Sequence, residues 1–236
     1  MNKDKAYVLS TPQVRERNLI KNVYLWMTAG LSLTGVVAYI VAASPSIMRF
    51  ILGNSFVFLF IVIGELALVF YLSSRLKTME VGNAVAAFIG YSLLNGLLMS
   101  TIFWIYTGIS IATAFLTTAA AFGGMSVYAM TTKRDLRGWG YYLSMGLWGL
   151  IIASLINLFL GSPTMYYLVS AAGIILFMGL TAWDTQRIRT VNEQYGDSMT
   201  AEEYTKISII GALNLYLDFI NIFLYLLRFL GVGRRD

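Results

Sequence analysis

Two aspartates stand inside runs that otherwise have the character of membrane spans. Asp218 lies within NLYLDFINIFLYLLRFLG (214–231), and Asp184 closes the apolar block FMGLTAWDTQRI (177–188). An ionised carboxylate in hydrocarbon costs about 3 kcal/mol on insertion scales, so an acid placed there is a functional candidate by default. The competing readings are structural. Asp218 could fix helix register through an ion pair or hydrogen bond, and Asp184 beside Arg187 could mark the water interface. A third acid, Glu65 in FIVIGELALVF (60–70), is near the middle of an earlier block with no charged residue within one turn. It is either a protonated buried acid or part of an ion path. Two carboxylates close together in low dielectric do not both ionise readily, and their protons leave in coupled steps. Such a pair can respond to pH without histidine. Deprotonated, it offers hard oxygen ligands suited to Ca²⁺.

Other chemistry is excluded by composition. The 236-residue chain has no cysteine and no histidine. Disulfides, thiolate nucleophiles, imidazole-based general bases and zinc sites built on these ligands are therefore absent. No phosphate-binding GxxxxGK[ST] loop occurs, which argues against an ATP-driven pump. The net charge of +5 comes from basic residues clustered at the edges of apolar blocks, a membrane-topology pattern, so no nucleic-acid partner is expected.

These residues must be positioned by membrane helices. With 58% apolar and only 12% charged residues, the chain carries about half the charge of a soluble domain. Seven blocks of about 20 residues cover roughly 23–43, 55–74, 83–105, 109–130, 139–160, 165–184 and 207–230. Each is long enough to cross hydrocarbon about 30 Å thick. The expected organisation is a cytoplasmic N-terminal tail at 1–21 followed by one helical transmembrane domain at 22–236. Connections read as short except for the polar segment 185–206. Thirteen of the seventeen Lys and Arg residues fall in the tail and alternate loops, which places the N-terminus in the cytoplasm. Arg228, Arg234 and Arg235 depart from that pattern if the last block crosses completely, so either a full crossing or a half-inserted helix fits.

On the last block, Asn214, Asp218, Asn221, Tyr225 and Arg228 are spaced four, three, four and three apart. That spacing puts them on one helical face, with Leu, Ile and Phe elsewhere. Asp218 is eleven residues beyond Ile207, about 16 Å along the axis and near mid-depth. A helix carrying such a stripe belongs at the centre of a bundle. Asn95 and Asn157 read as helix–helix hydrogen-bonding residues, and TTAAAFGGMS (117–126) as a surface for close helix approach.

GLTAWDTQRI (179–188) and LYLDFINIFLYLLRFLG (215–231) closely match the two signature segments of the Bax inhibitor-1 (transmembrane Bax inhibitor motif) family. TTKRDL (131–136) and VYLWMTAGLSLTG (23–35) are also similar to it, so the resemblance spans the chain. It implies an all-α membrane fold in which six helices surround a central seventh, in a bacterial inner-membrane protein that acts as a pH-sensitive Ca²⁺ leak. By the same resemblance, Asp184 and Asp218 share a proton, gate the pore and offer a Ca²⁺ site. Arg75 latches the pair in the closed form, and Glu65 lies on the ion route, with Asn214 and Asn221 as further pathway candidates. Ca²⁺, H⁺ and the bilayer are then the partners. No cofactor and no enzymatic activity are expected.

Two rivals come from other classes. An intramembrane aspartyl protease also needs two membrane aspartates, but it carries GxGD and Pro-Ala-Leu motifs. Here Asp184 follows Ala-Trp, Asp218 follows Tyr-Leu, and the only prolines are 12, 45 and 163. The alternative is a regulatory protein that binds a membrane protease or stress complex through the tail and the 185–206 segment.

Overall fold

Uninterrupted runs of Leu, Ile, Phe and Val leave the backbone in lipid no hydrogen-bond partner but itself, so each run closes its own bonds as a helix. All three prolines open helices, where the missing N–H costs nothing. The computed structural model describes residues 12–75, 78–195 and 199–233. The helices are α1 (Pro12–Ala42), α2 (Pro45–Gly53), α3 (Ser55–Arg75), α4 (Val81–Met99), α5 (Ile102–Ile105), α6 (Gly108–Thr131), α7 (Trp139–Leu160), α8 (Pro163–Tyr195) and α9 (Ala201–Leu230). Seven spans are long and apolar enough to cross a membrane, α4 and α5 forming one of them, and no strand occurs among the described residues.

The boundaries differ from the sequence-based expectation in three places. Residues 12–21 are helical as the start of α1, whose membrane-length apolar part begins at Leu19, while residues 1–11 lie outside the described residues. The polar segment 185–206 is mostly helix, because α8 continues to Tyr195 and α9 begins at Ala201. A capping box starts α9: Thr200 Oγ1 accepts from Glu203 N at 3.2 Å, and Glu203 Oε2 accepts from Thr200 N at 2.8 Å. Hydropathy reports only the part of a helix that faces lipid, so the polar ends of α8 and α9 escaped it. The first loop also carries α2, whose Met48 and Ile51 are buried.

α9 is the centre. Two-thirds (67%) of its most apolar window is buried, against 6% for α7. It packs on α1, α4, α6 and α8, whereas α7 is held by α8 and α3 by α4 and α2. Phe219 meets Phe115 and Phe122 edge-on at 5.5 Å each, which joins α9 to α6. The end of α9 is also fixed. Tyr106 and Gly233 form an antiparallel bridge, and Val232 N donates to Ser110 Oγ at 2.9 Å. The Trp104 indole in turn donates to the Ala42 carbonyl at 3.1 Å. The end of α9 therefore shares a face with the turns after α1 and α5. It is a complete crossing, with Arg228 on the side opposite the 132–138 turn. Arg234 and Arg235 lie outside the described residues.

Close packing relies on particular small residues. A Cβ on Gly96 would stand 2.7 Å from Val37 Cβ and 3.0 Å from the Thr34 carbonyl, so α1 and α4 approach only because that atom is missing. On α6 the packed face is Ala114, Thr118, Phe122 and Ser126, while Gly123 and Gly124 have nothing near a Cβ. The expectation of close approach at 117–126 thus holds for Thr118 and Ser126 and fails for the two glycines. Gly96→Ala should destabilise the detergent-solubilised protein by about 1–3 kcal/mol. Gly123→Ala should leave stability equal or slightly higher through helix propensity. Thermal unfolding of the two variants side by side checks this.

Candidate functional site

α8 and α9 run antiparallel, and their contacts set a register. Asp184 Oδ1 accepts from Asn214 Nδ2 at 3.5 Å, the Thr181 hydroxyl lies beside Asp218, and Gly173 lies under the Tyr225 ring. Asp184 and Asp218 are therefore about one helical turn apart along the seam, roughly 5 Å. They lie within Coulombic reach of each other, and no hydrogen bond joins them among the described residues. Both are buried, at 7% and 4% exposure. Asp184 is buried inside the protein rather than exposed where the polar part of α8 begins, and α8 runs on past it for three more turns.

Among the described residues, Asp218 Oδ2 has no hydrogen-bond partner. Thr181 Oγ1, which lies beside Asp218, is also within donating distance of the Phe177 carbonyl at 2.8 Å. A buried polar atom left without a partner costs about 1–3 kcal/mol, and more if charged. The arrangement is one that a proton or a cation at Oδ2 would complete.

A cleft of about 1290 Å³ follows the seam between α7, α8 and α9. All five residues of the stripe, Asn214, Asp218, Asn221, Tyr225 and Arg228, line it, and so does Asp184. It extends from Arg187 and Trp183 past the two acids to Tyr166 and Arg228 at the opposite face. The facing wall on α7 is largely apolar, with Ser144, Ser154 and Asn157 as exceptions. The cations at the two ends are held on aromatic rings: Arg187 lies 5.2 Å from the Trp183 centroid, and Arg228 is 5.6 Å from Tyr225 and 5.9 Å from Tyr166. Gly173 is what admits the Tyr225 ring, because a Cβ there would lie 2.6 Å from it, and Phe177 stacks on the ring at 6.0 Å.

The structure separates the remaining candidates. Asn221 lines the cleft and donates to the Leu217 carbonyl at 2.8 Å. Glu65 does not line the cleft. It accepts from Asn95 Nδ2, beside Tyr91, and the Tyr91 ring packs on Tyr216 at 5.3 Å. The Tyr216 hydroxyl is 2.5 Å from Thr34 Oγ1, which donates to the Ser92 carbonyl at 2.9 Å. This polar chain joins α3, α4 and α1 to the face of α9 that points away from the stripe. Asn95 thus bonds between helices as expected. Asn157 instead accepts from Ser162 N at 3.1 Å and organises the α7–α8 turn. Arg75 ends α3 exposed, and no ion pair joins it to either aspartate among the described residues. No cluster of three or more Asp and Glu residues that could hold a metal is present among the described residues, so the pair offers an open, sparse set of oxygens.

A family model described as "Inhibitor of apoptosis-promoting Bax1" matches residues 16–235. The chain belongs to the Bax inhibitor-1 family. The inner membrane protein YbhL of Escherichia coli K12 is 44% identical over 223 residues, 94% of this chain and 95% of that one. An uncharacterised protein of Borreliella burgdorferi is 42% identical over 97% of this chain and all of its own length. YrjE of Lactococcus lactis is 38% identical over 91% of each.

In this Bax inhibitor-1 member, sequence reading passed over Thr181 and Arg187 as site residues. The signal was present: both are three residues from Asp184, the spacing that shares a helix face. Tyr166 had no such signal, because only the antiparallel packing brings it to Arg228. The absence of cysteine gives a clean test of the cleft. Asn221→Cys should react with a small polar maleimide in native protein, and Ile222→Cys, fully buried on the other face, should stay unlabelled until denaturation.

Proposed function

We propose that the protein is a passive, pH-sensitive Ca²⁺ pathway of the bacterial inner membrane, gated by the Asp184–Asp218 pair. The observation that carries this reading is the unpartnered Asp218 Oδ2, buried in the central helix and one turn from a second acid. Around it, the stripe supplies amide oxygens from Asn214 and Asn221, and the cleft runs from one helix end to the other. Oxygen donors in a loose arrangement suit a transient Ca²⁺ stop better than a tight binding site, and a conducting path must release its ion. The pair assists no bond-breaking step in this reading, so the protein is not an enzyme. The name of YbhL as an inner membrane protein supports the location, and the distribution of Lys and Arg supports a cytoplasmic N-terminus.

Gating follows from charge. The anionic pair attracts a cation, either Ca²⁺ or a guanidinium, and a proton on the pair weakens both attractions. Arg75 is the guanidinium assigned to the closed form. It stands at the end of α3, a helix packed mainly on α4 and α2, with 11% of its apolar window buried. Closing then means moving α3 toward α9, a rearrangement that breaks little packing. The Glu65–Asn95 bond is the main polar tie across the α3–α4 seam that such a movement would strain.

The test is Ca²⁺ flux in proteoliposomes as a function of pH. Wild-type flux should change with pH, while Asp218→Asn should show a flat profile and Asp184→Asn a flattened or displaced one. A mutant pH profile identical to that of wild type would contradict the gating role.

A further inference from the structure

Where α6 gives way to α7, residues 130–137 fold against the end of α8 and enclose a second cavity of about 550 Å³. It carries Lys133, Arg134, Arg137 and Arg189 against two acids, Asp135 and Glu193. Both acids are already engaged, Asp135 by Arg137 at 2.8 Å and Glu193 by Arg189 at 3.0 Å. Hydrogen bonds from Arg137 hold the Asp135 carboxyl below the usual carboxylate range, so it remains ionised at neutral pH. Among the described residues, no carboxylate pairs with Lys133 or Arg134. The cavity is therefore left with an uncompensated positive charge.

The loop that forms the cavity is built into place. Gln186 grips it with both ends of its amide: Oε1 accepts from Leu136 N at 2.6 Å, and Nε2 donates to the Arg134 carbonyl at 2.9 Å. Arg189 Nη1 donates to the Met130 carbonyl at 3.3 Å, and the Trp183 indole to the Arg137 carbonyl at 3.4 Å. Leu136, at 1% exposure, pins the loop into the protein. The apolar span of α6 ends at Thr131, so the cavity sits at the level of lipid headgroups. Directly beyond it, Tyr141, Tyr142, Met145 and Trp148 at the start of α7 present exposed apolar surface.

We propose that this cavity binds the phosphate headgroup of an anionic phospholipid from the surrounding leaflet. Lys133 and Arg134 supply the charge, and a guanidinium fork matches phosphate oxygens. Thr132, whose hydroxyl accepts from Arg134 N and donates to no acceptor among the described residues, lines the same cavity and can add a hydrogen bond. The exposed α7 surface gives the acyl chains a place to lie, which a soluble phosphate compound would not use. The inference does not depend on the ion-pathway reading.

The experiment uses the full chain in nanodiscs made of equal phosphatidylglycerol and phosphatidylcholine, with lipid retention read by native mass spectrometry. Phosphatidylglycerol should be retained selectively. At about 1 kcal/mol for each basic residue near the surface, Lys133→Gln with Arg134→Gln should weaken retention roughly thirtyfold. Arg49→Gln, on the opposite face, should leave it unchanged. Gln186→Leu keeps every charge and should also weaken retention, because the loop loses its clamp. Equal retention of the two lipids, or undiminished retention in the double variant, would overturn the proposal. Displacement of the lipid by equimolar inorganic phosphate would overturn it too, by assigning the cavity to soluble phosphate.

Discussion

A carboxyl group in the middle of an apolar helix cannot face lipid, and most of the architecture can be derived from that constraint. Asp218 forces one face of α9 inward, and Asn214, Asn221, Tyr225 and Arg228 extend that face along the helix. The other faces of α9 carry Leu215, Phe219, Ile222 and Leu227, all buried. A helix that is polar on one side and needs apolar cover on the rest is satisfied only when others surround it. α1, α4, α6 and α8 supply the cover. α7 stands off, so a cleft remains along the stripe. With no water in hydrocarbon to accept exposed polar groups, the alternative placement of α9 at the rim would leave these groups without partners.

The two faces of α9 carry different polar chemistry. One faces the cleft with Asp218 and leaves an oxygen open. The other carries Tyr216 into a chain with Thr34, Tyr91, Asn95 and Glu65, in which Asn95 Oδ1 is likewise buried without a partner among the described residues. That chain ties α1, α3 and α4 to α9, while the stripe face lines the cleft. Glu65 sits on that other side, bonded to Asn95, and is not part of the cleft wall.

Much of this was legible in the sequence, for physical reasons. A spacing of four, three, four and three puts five residues on one face whatever surrounds the helix, and all five line one cleft. The family resemblance supplied Asp184 as the companion of Asp218. Three things were not legible. Hydropathy could not see that 185–195 and 201–206 are helical, because helix ends in water carry polar residues. The antiparallel register of α8 and α9, which sets the acids one turn apart and brings Tyr166 to Arg228, is a packing outcome with no local signal. Whether α9 crosses fully was ambiguous from its arginines, and it is the contacts of residues 231–233 with the 106–110 turn that decide it.

The central claim is that Asp184 and Asp218 act as one proton-exchanging unit. Infrared difference spectroscopy of the carboxyl C=O stretch, recorded as pH is swept, observes that unit directly. The account predicts a band that titrates together with Ca²⁺ flux and disappears in both Asp184→Asn and Asp218→Asn, since each variant destroys the shared site. A band that persists in both single variants, or that titrates in a pH range where flux does not change, would contradict it.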